Sequence, residues 1–143
     1  MSTSIAWNFN AVPMRKEVGN LTSLAQIDKV MSYNFGISLF KDYIEALAQS
    51  IEKKYAELET RPDILVCSYH GVPQRYLMEG DPYHCQCQKT TRLLKERLGW
   101  ADTEIKTTFQ SKFGPEEWLQ PYTVEEVARL AEQGKKNIAV CAP

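Results

Sequence analysis

Ile64-Leu65-Val66-Cys67-Ser68-Tyr69 is the stretch that most limits what this chain can fold into. It is a short, nearly continuous apolar run, rich in strand-forming residues. An alternating run would suit a strand with one wet face. An unbroken one predicts a strand buried on both faces, as in a parallel sheet covered by helices. The flanking segments supply such helices. Before the run, Leu39, Phe40, Tyr43, Ile44, Leu47, Ile51, Tyr55 and Leu58 recur at three- and four-residue steps, with Ser38 as N-cap and Arg61-Pro62 as the break. After it, a loop from His70 to Gly80 leads to Asp81-Pro82. That pair reads as the N-cap and first proline of a helix reaching about Leu98, closed by Gly99. Ile105 to Phe109 is a second strand, followed by a loop marked by Gly114, Pro115 and Pro121. Thr123 with Glu126 forms a capping box opening a helix that ends near Gly134, and Ile138 to Cys141 is a third strand.

The order helix, strand, helix, strand, helix, strand predicts an α/β fold with a mainly parallel sheet. The first 38 residues carry weaker signals. Ala6-Trp7-Asn8-Phe9-Asn10 alternates like a short strand or an extended lead-in, and Pro13, Gly19 and Gly36 interrupt any longer element. The third strand runs directly to Pro143 without a covering helix. The sequence therefore predicts an incomplete doubly wound domain whose sheet leaves apolar surface bare.

Composition narrows the function classes. Seventeen basic and 18 acidic residues give a net charge of -1, so no long-range field favours nucleic acid or an anionic membrane. No apolar run approaches the roughly 20 residues that span a bilayer. The first 13 residues lack the basic and apolar regions of a secretory signal. A cytoplasmic location with four reduced cysteines is expected.

Ligands of open α/β sheets bind outside the carboxyl ends of the strands. Two loops fall there, residues 68–76 and 110–119, both rich in aromatic and polar groups that suit a flat, mostly apolar ligand. His70 ends the first strand. Its imidazole is suited to accepting a proton or binding a metal near neutral pH; the plainer role is hydrogen bonding within a turn. His84, Cys85 and Cys87 resemble a metal cluster in composition. On a helix, however, positions two apart point to different sides, so Cys85 and Cys87 are not expected to share an ion. Cys67 and Cys141 read as small buried side chains. Trp118 reads equally as a ligand platform or as core.

Four blocks together resemble ferrochelatases, especially the proteobacterial type. They are Ser68-Tyr69-His70-Gly71-Val72-Pro73-Gln74-Arg75-Tyr76, Gly80-Asp81-Pro82-Tyr83, Thr108-Phe109-Gln110-Ser111-Lys112-Phe113-Gly114, and Trp118-Leu119-Gln120-Pro121-Tyr122-Thr123. Their order and spacing agree with the family from Leu39 to Pro143. The resemblance divides the chain into a poorly matched lead-in, residues 1–38, and part of a chelatase-type C-terminal domain, residues 39–143.

The resemblance implies insertion of Fe²⁺ into protoporphyrin IX to form haem, in a cleft between two α/β domains. His70 matches the histidine that binds iron or takes pyrrole protons. Trp118 matches an aromatic residue beside the porphyrin, and Tyr69 and Ser68 are carried over as neighbours of His70 in porphyrin binding. Fe²⁺ is a substrate, no resident cofactor is required, and an iron–sulfur cluster is not expected in this chain. The family's acidic cluster facing the histidine, and the N-terminal domain forming the other cleft wall, are not among these residues. The isolated chain is therefore expected to be inactive. Two alternatives stay open: a cobalt or nickel tetrapyrrole chelatase, and a non-enzymatic porphyrin-binding remnant.

Overall fold

The computed structural model describes Ile5–Asn8 and residues 41–143. Among these residues eight elements follow in chain order: β1 (Ile5–Asn8), α1 (Lys41–Ala56), β2 (Ile64–His70), α2 (Gln74–Met78), α3 (Tyr83–Leu98), β3 (Ile105–Gln110), α4 (Thr123–Glu132) and β4 (Ile138–Ala142). All strand pairs are parallel, in the order β1-β4-β2-β3. The α/β class and the parallel sheet expected from the sequence are thus present, and β1 overlaps the expected short strand at Ala6, Trp7 and Asn8, beginning one residue earlier at Ile5. Ser38, Leu39, Phe40 and the interruptions at Pro13, Gly19 and Gly36 lie outside the described residues.

Period-two geometry sorts the side chains of β2 between two layers. Leu65, Cys67 and Tyr69 join Ile105, Phe109, Ala139 and Cys141 on the face covered by α1 and α3, where Leu47, Ala48, Ile51, Cys87 and Leu94 complete a buried core. Ile64 and Val66 pack with Ile138 and Leu130 on the opposite face, beneath α4. Every residue of β2 from Ile64 to Tyr69 is buried, because helices cover both faces and strands flank both edges. Only His70, at the end, is exposed.

The helices carry the apolar faces their periodicity predicts. Ile44, Leu47, Ala48 and Ile51 of α1 point inward. Arg97 of α3 reaches across to α1, donating from Nε to Glu45 Oε2 at 2.5 Å, from Nη2 to Glu45 Oε1 at 2.6 Å and from Nη1 to Glu52 at 3.2 Å. At the start of α3 the N-cap is Pro82, one residue beyond the expected Asp81, and Asp81 Oδ1 accepts from the Tyr83 backbone N–H at 2.8 Å just ahead of the helix. Gly99 closes α3 with φ at +67°, the left-handed conformation glycine adopts without steric cost.

Three further expectations change. The loop from His70 to Gly80 contains α2, whose five residues are too few to leave a periodic signature. The capping box at Thr123 does not form. The Thr123 hydroxyl bonds Ser68 and Thr108, and the Glu126 carboxylate bonds Lys106 and Arg129. At Thr123 tertiary partners replace the local cap, and at Glu126 a tertiary ion pair with Lys106 and a same-helix pair with Arg129 do so. Finally, the bare sheet is not seen among the described residues. The large exposed apolar side chains are Tyr76, Met78, Phe113 and Val124, which lie on α2, in the loop after β3 and at the start of α4. The sheet strands β2 to β4 keep their apolar side chains wholly or partly covered.

Candidate functional site at the carboxyl end of the sheet

β2 and β3 end side by side, with His70 opposite Gln110 in the register. The chain then turns at Gly71, whose N–H donates to the Gln110 carbonyl at 2.8 Å. A Cβ at Gly71 would lie 2.7 Å from the Gln110 oxygen and 3.2 Å from Trp118 Cε3, so the approach of these three segments requires glycine. The loop after β3 folds back on this turn. Leu119 N–H donates to the Val72 carbonyl at 3.0 Å and Gln74 N–H to the Glu117 carbonyl at 2.9 Å. Arg75 pairs with Glu116 at 2.7 Å across the same junction. The two loops that the sequence placed at the sheet edge are therefore one joined surface.

His70 Nδ1 lies 2.7 Å from the Gly71 carbonyl oxygen. A carbonyl can only accept, so Nδ1 carries the proton and the lone pair of the neutral ring resides on Nε2. The main-chain carbonyl of His70 accepts a hydrogen bond from the Tyr83 hydroxyl at 2.8 Å. Burial pushes the Tyr83 hydroxyl well above the ordinary tyrosine range, so it remains a donor.

Ser68 and Tyr69, the other β2 residues singled out from sequence, are buried at 2% and 6% exposure. Ser68 Oγ lies 2.8 Å from Thr123 Oγ1, which is also 2.8 Å from Thr108 Oγ1, a three-hydroxyl cluster on the α4 face. The Tyr69 hydroxyl lies 2.9 Å from Thr91 Oγ1, and Thr107 donates to the same oxygen at 2.9 Å. Burial raises the Tyr69 hydroxyl well above its usual range. Both side chains are spent inside the molecule, directly beneath His70. Trp118 is half-buried against the Gly71 turn, and its Nε1 is buried without a hydrogen-bond partner among the described residues.

A cavity of about 330 Å³ opens at the end of β3, bounded by Gln110, Ser111, Lys112, Tyr122, Thr123 and Val124. The Lys112 ammonium sits 4.7 Å from the centre of the Tyr122 ring. This volume is at the low end for ligand sites, as one wall of a larger cleft would give.

His84 stacks on Phe109, ring centres 5.6 Å apart, so it shields the core. Cys85 is exposed and Cys87 buried, the divergence that helix geometry requires. Cys67 and Cys141 are fully buried with their sulfurs 3.7 Å apart, and their contact together with burial holds the Cys141 thiol well above its usual range. Among the described residues, no group of three His, Cys, Asp or Glu side chains could hold a metal ion. Sequence reasoning missed Tyr83, Gly71 and Thr123 as parts of this edge. Tyr83 and Gly71 stood inside quoted motifs, but their partners are 13 and 39 residues away and leave no local pattern.

A parallel α/β domain that presents an exposed histidine and an aromatic loop at its carboxyl edge has the architecture of a small-molecule enzyme domain. The ferrochelatase family model matches residues 18–143, beginning ahead of Leu39, where the motif resemblance starts. The chain belongs to the ferrochelatase family. It is 72% identical over 101 residues to the ferrochelatase of Rhodobacter capsulatus, covering 71% of this chain and 29% of that protein. It is 57% identical over 101 residues to the ferrochelatase of Rhizobium meliloti, covering 71% and 30%, and 56% identical over 101 residues to that of Brucella ovis, covering 71% and 29%. The chain thus spans about three-tenths of the length of these curated relatives. No helix among the described residues is long and apolar enough to cross a membrane.

Proposed function

We propose that this chain supplies the proton-accepting wall of a site that inserts Fe²⁺ into protoporphyrin IX, within a cytoplasmic pathway of haem synthesis. The observation that carries the reading is the His70 ring. Its Nδ1 is committed to the Gly71 carbonyl, while Nε2 is left with a lone pair at an exposed strand end. Insertion breaks two pyrrole N–H bonds and forms bonds from four nitrogens to Fe²⁺. Two protons leave, and no electron is transferred. A neutral imidazole is a suitable acceptor for those protons. The same Nε2 lone pair can serve as one ligand while Fe²⁺ sheds water. Iron is a substrate here, and the reading calls for no resident cofactor or iron–sulfur cluster.

Trp118, with the loop that carries it, forms the apolar platform for the macrocycle. Ser68 and Tyr69 support the edge from within, through the hydroxyl pairs that lock β2 to α3 and α4. The opposing wall and an acidic partner for His70 come from outside these residues. That agrees with the relatives' greater length. The names of the relatives favour iron over cobalt or nickel as the metal.

The test of the ligand class is a titration of the purified 143-residue chain with protoporphyrin IX, followed by tryptophan quenching and the porphyrin absorption band. Weak saturable binding is expected, several-fold weaker in Trp118→Ala. An unchanged porphyrin spectrum at saturating protein would overturn the assignment of this edge as the porphyrin wall.

A further inference from the structure

We infer that Tyr83 is a positioning residue for His70, setting which imidazole nitrogen is free to accept a proton. The inference rests on the reading of His70 as the proton acceptor. It comes from hydrogen bonds alone. The peptide between His70 and Gly71 is held at both ends: its oxygen accepts from the Tyr83 hydroxyl at 2.8 Å, and its N–H donates to the Gln110 carbonyl at 2.8 Å. With that plane fixed, the next carbonyl, of Gly71, is brought to 2.7 Å from His70 Nδ1. That contact places the ring proton on Nδ1 and directs Nε2 outward.

Tyr83 is itself fixed. It is the first residue of α3, and its backbone N–H is held by Asp81 Oδ1 at 2.8 Å. The chain Asp81, Tyr83, His70, Gly71 therefore links the start of a helix to the tautomer of an imidazole at the end of a strand. Tyr83 touches no reacting atom. Its partner is the main chain of His70, so its effect reaches the chemistry only through the ring. Second-tier partners that fix an imidazole's tautomer in this way are a recognised means of tuning its basicity.

The experiment is nitrogen-15 NMR of the histidine rings in the 143-residue chain, at a pH where the imidazoles are neutral. In the wild type, His70 is expected mainly as the Nδ1–H tautomer. Tyr83→Phe keeps the ring and removes only the hydroxyl. It is expected to lower the ratio of Nδ1–H to Nε2–H by about fivefold, the equilibrium weight of one ordinary hydrogen bond. Asp81→Ala, at an exposed position, is expected to shift the ratio in the same direction by a smaller factor. Thr107→Val removes a hydroxyl from the Thr91 pair, loosening the same core without touching the His70 peptide, and is expected to leave the ratio unchanged. An unchanged ratio in Tyr83→Phe, or an equal shift in Thr107→Val, would overturn the inference. The readout needs no turnover, so a failure of iron insertion would count against the functional reading alone.

Discussion

A Cβ built on Gly71 would stand 2.7 Å from a backbone oxygen, and backbone yields less readily than a side chain. Gly71→Ala should therefore separate the β2 turn from β3 or displace Trp118. The expected cost is about 1–3 kcal/mol, the usual range for overpacking a tight site. It should appear as a lower urea midpoint with an unchanged slope. A midpoint equal to wild type would show that the junction can open freely. Much at this scale was legible in the sequence, and some was not. His70 could be placed because a strand end needs only the strand pattern to locate it. The roles of Gly71 and Tyr83 depend on residues brought near by folding, and nothing adjacent in the chain announces them. Ser68 and Tyr69 show the same limit in reverse. Their adjacency to His70 in sequence suggested the cleft, whereas strand alternation turns both side chains into the layers beneath it.

At the scale of elements, α4 shows the expected capping box giving way to other partners, tertiary at Thr123 and both tertiary and same-helix at Glu126. Thr123 and Glu126 carry the spacing of a capping box. Glu126 is instead buried at 5% exposure, with Lys106 Nζ at 2.6 Å, Arg129 Nη2 at 2.5 Å and Arg129 Nε at 3.0 Å. Hydrogen bonds from Arg129 first, and then Lys106, hold its carboxyl below the ordinary value of 4.5. A depressed folded value means that the stabilisation is fully present above that ordinary value and is lost as pH falls through the lower, folded one. Denaturation free energies at pH 7 and pH 3 should therefore differ more for wild type than for Glu126→Gln, which has no proton to gain. Equal losses in the two proteins would contradict this account of the Glu126 ion pairs. By contrast, α1 and α3 match their sequence patterns closely. Their packing depends on runs of apolar residues at helical spacing, and their ends on Asp81-Pro82 and Gly99, signals that are local by nature.

For the whole molecule, the alternation of helix and strand was enough to give the class and a parallel sheet, because helices between successive strands cover both faces of such a sheet and bury β2. The strand order was not legible. That β2 sits between β3 and β4, with β1 beyond β4, follows from pairings that no single segment encodes. The order is what puts His70 beside Gln110 and lets the loop after β3 fold over the histidine turn. The site is thus a product of the whole sheet edge. On this account it is one wall of a cleft, with the chemistry centred on Nε2 of His70. The most direct measurement replaces the matching 101 residues of the Rhodobacter capsulatus ferrochelatase with those of this chain and follows Fe²⁺ insertion into protoporphyrin IX. The chimera should metallate the porphyrin, and His70→Ala within it should lower turnover by about 10²-fold or more, the usual worth of a positioned proton acceptor. Metallation that continues unchanged in His70→Ala would contradict the central claim.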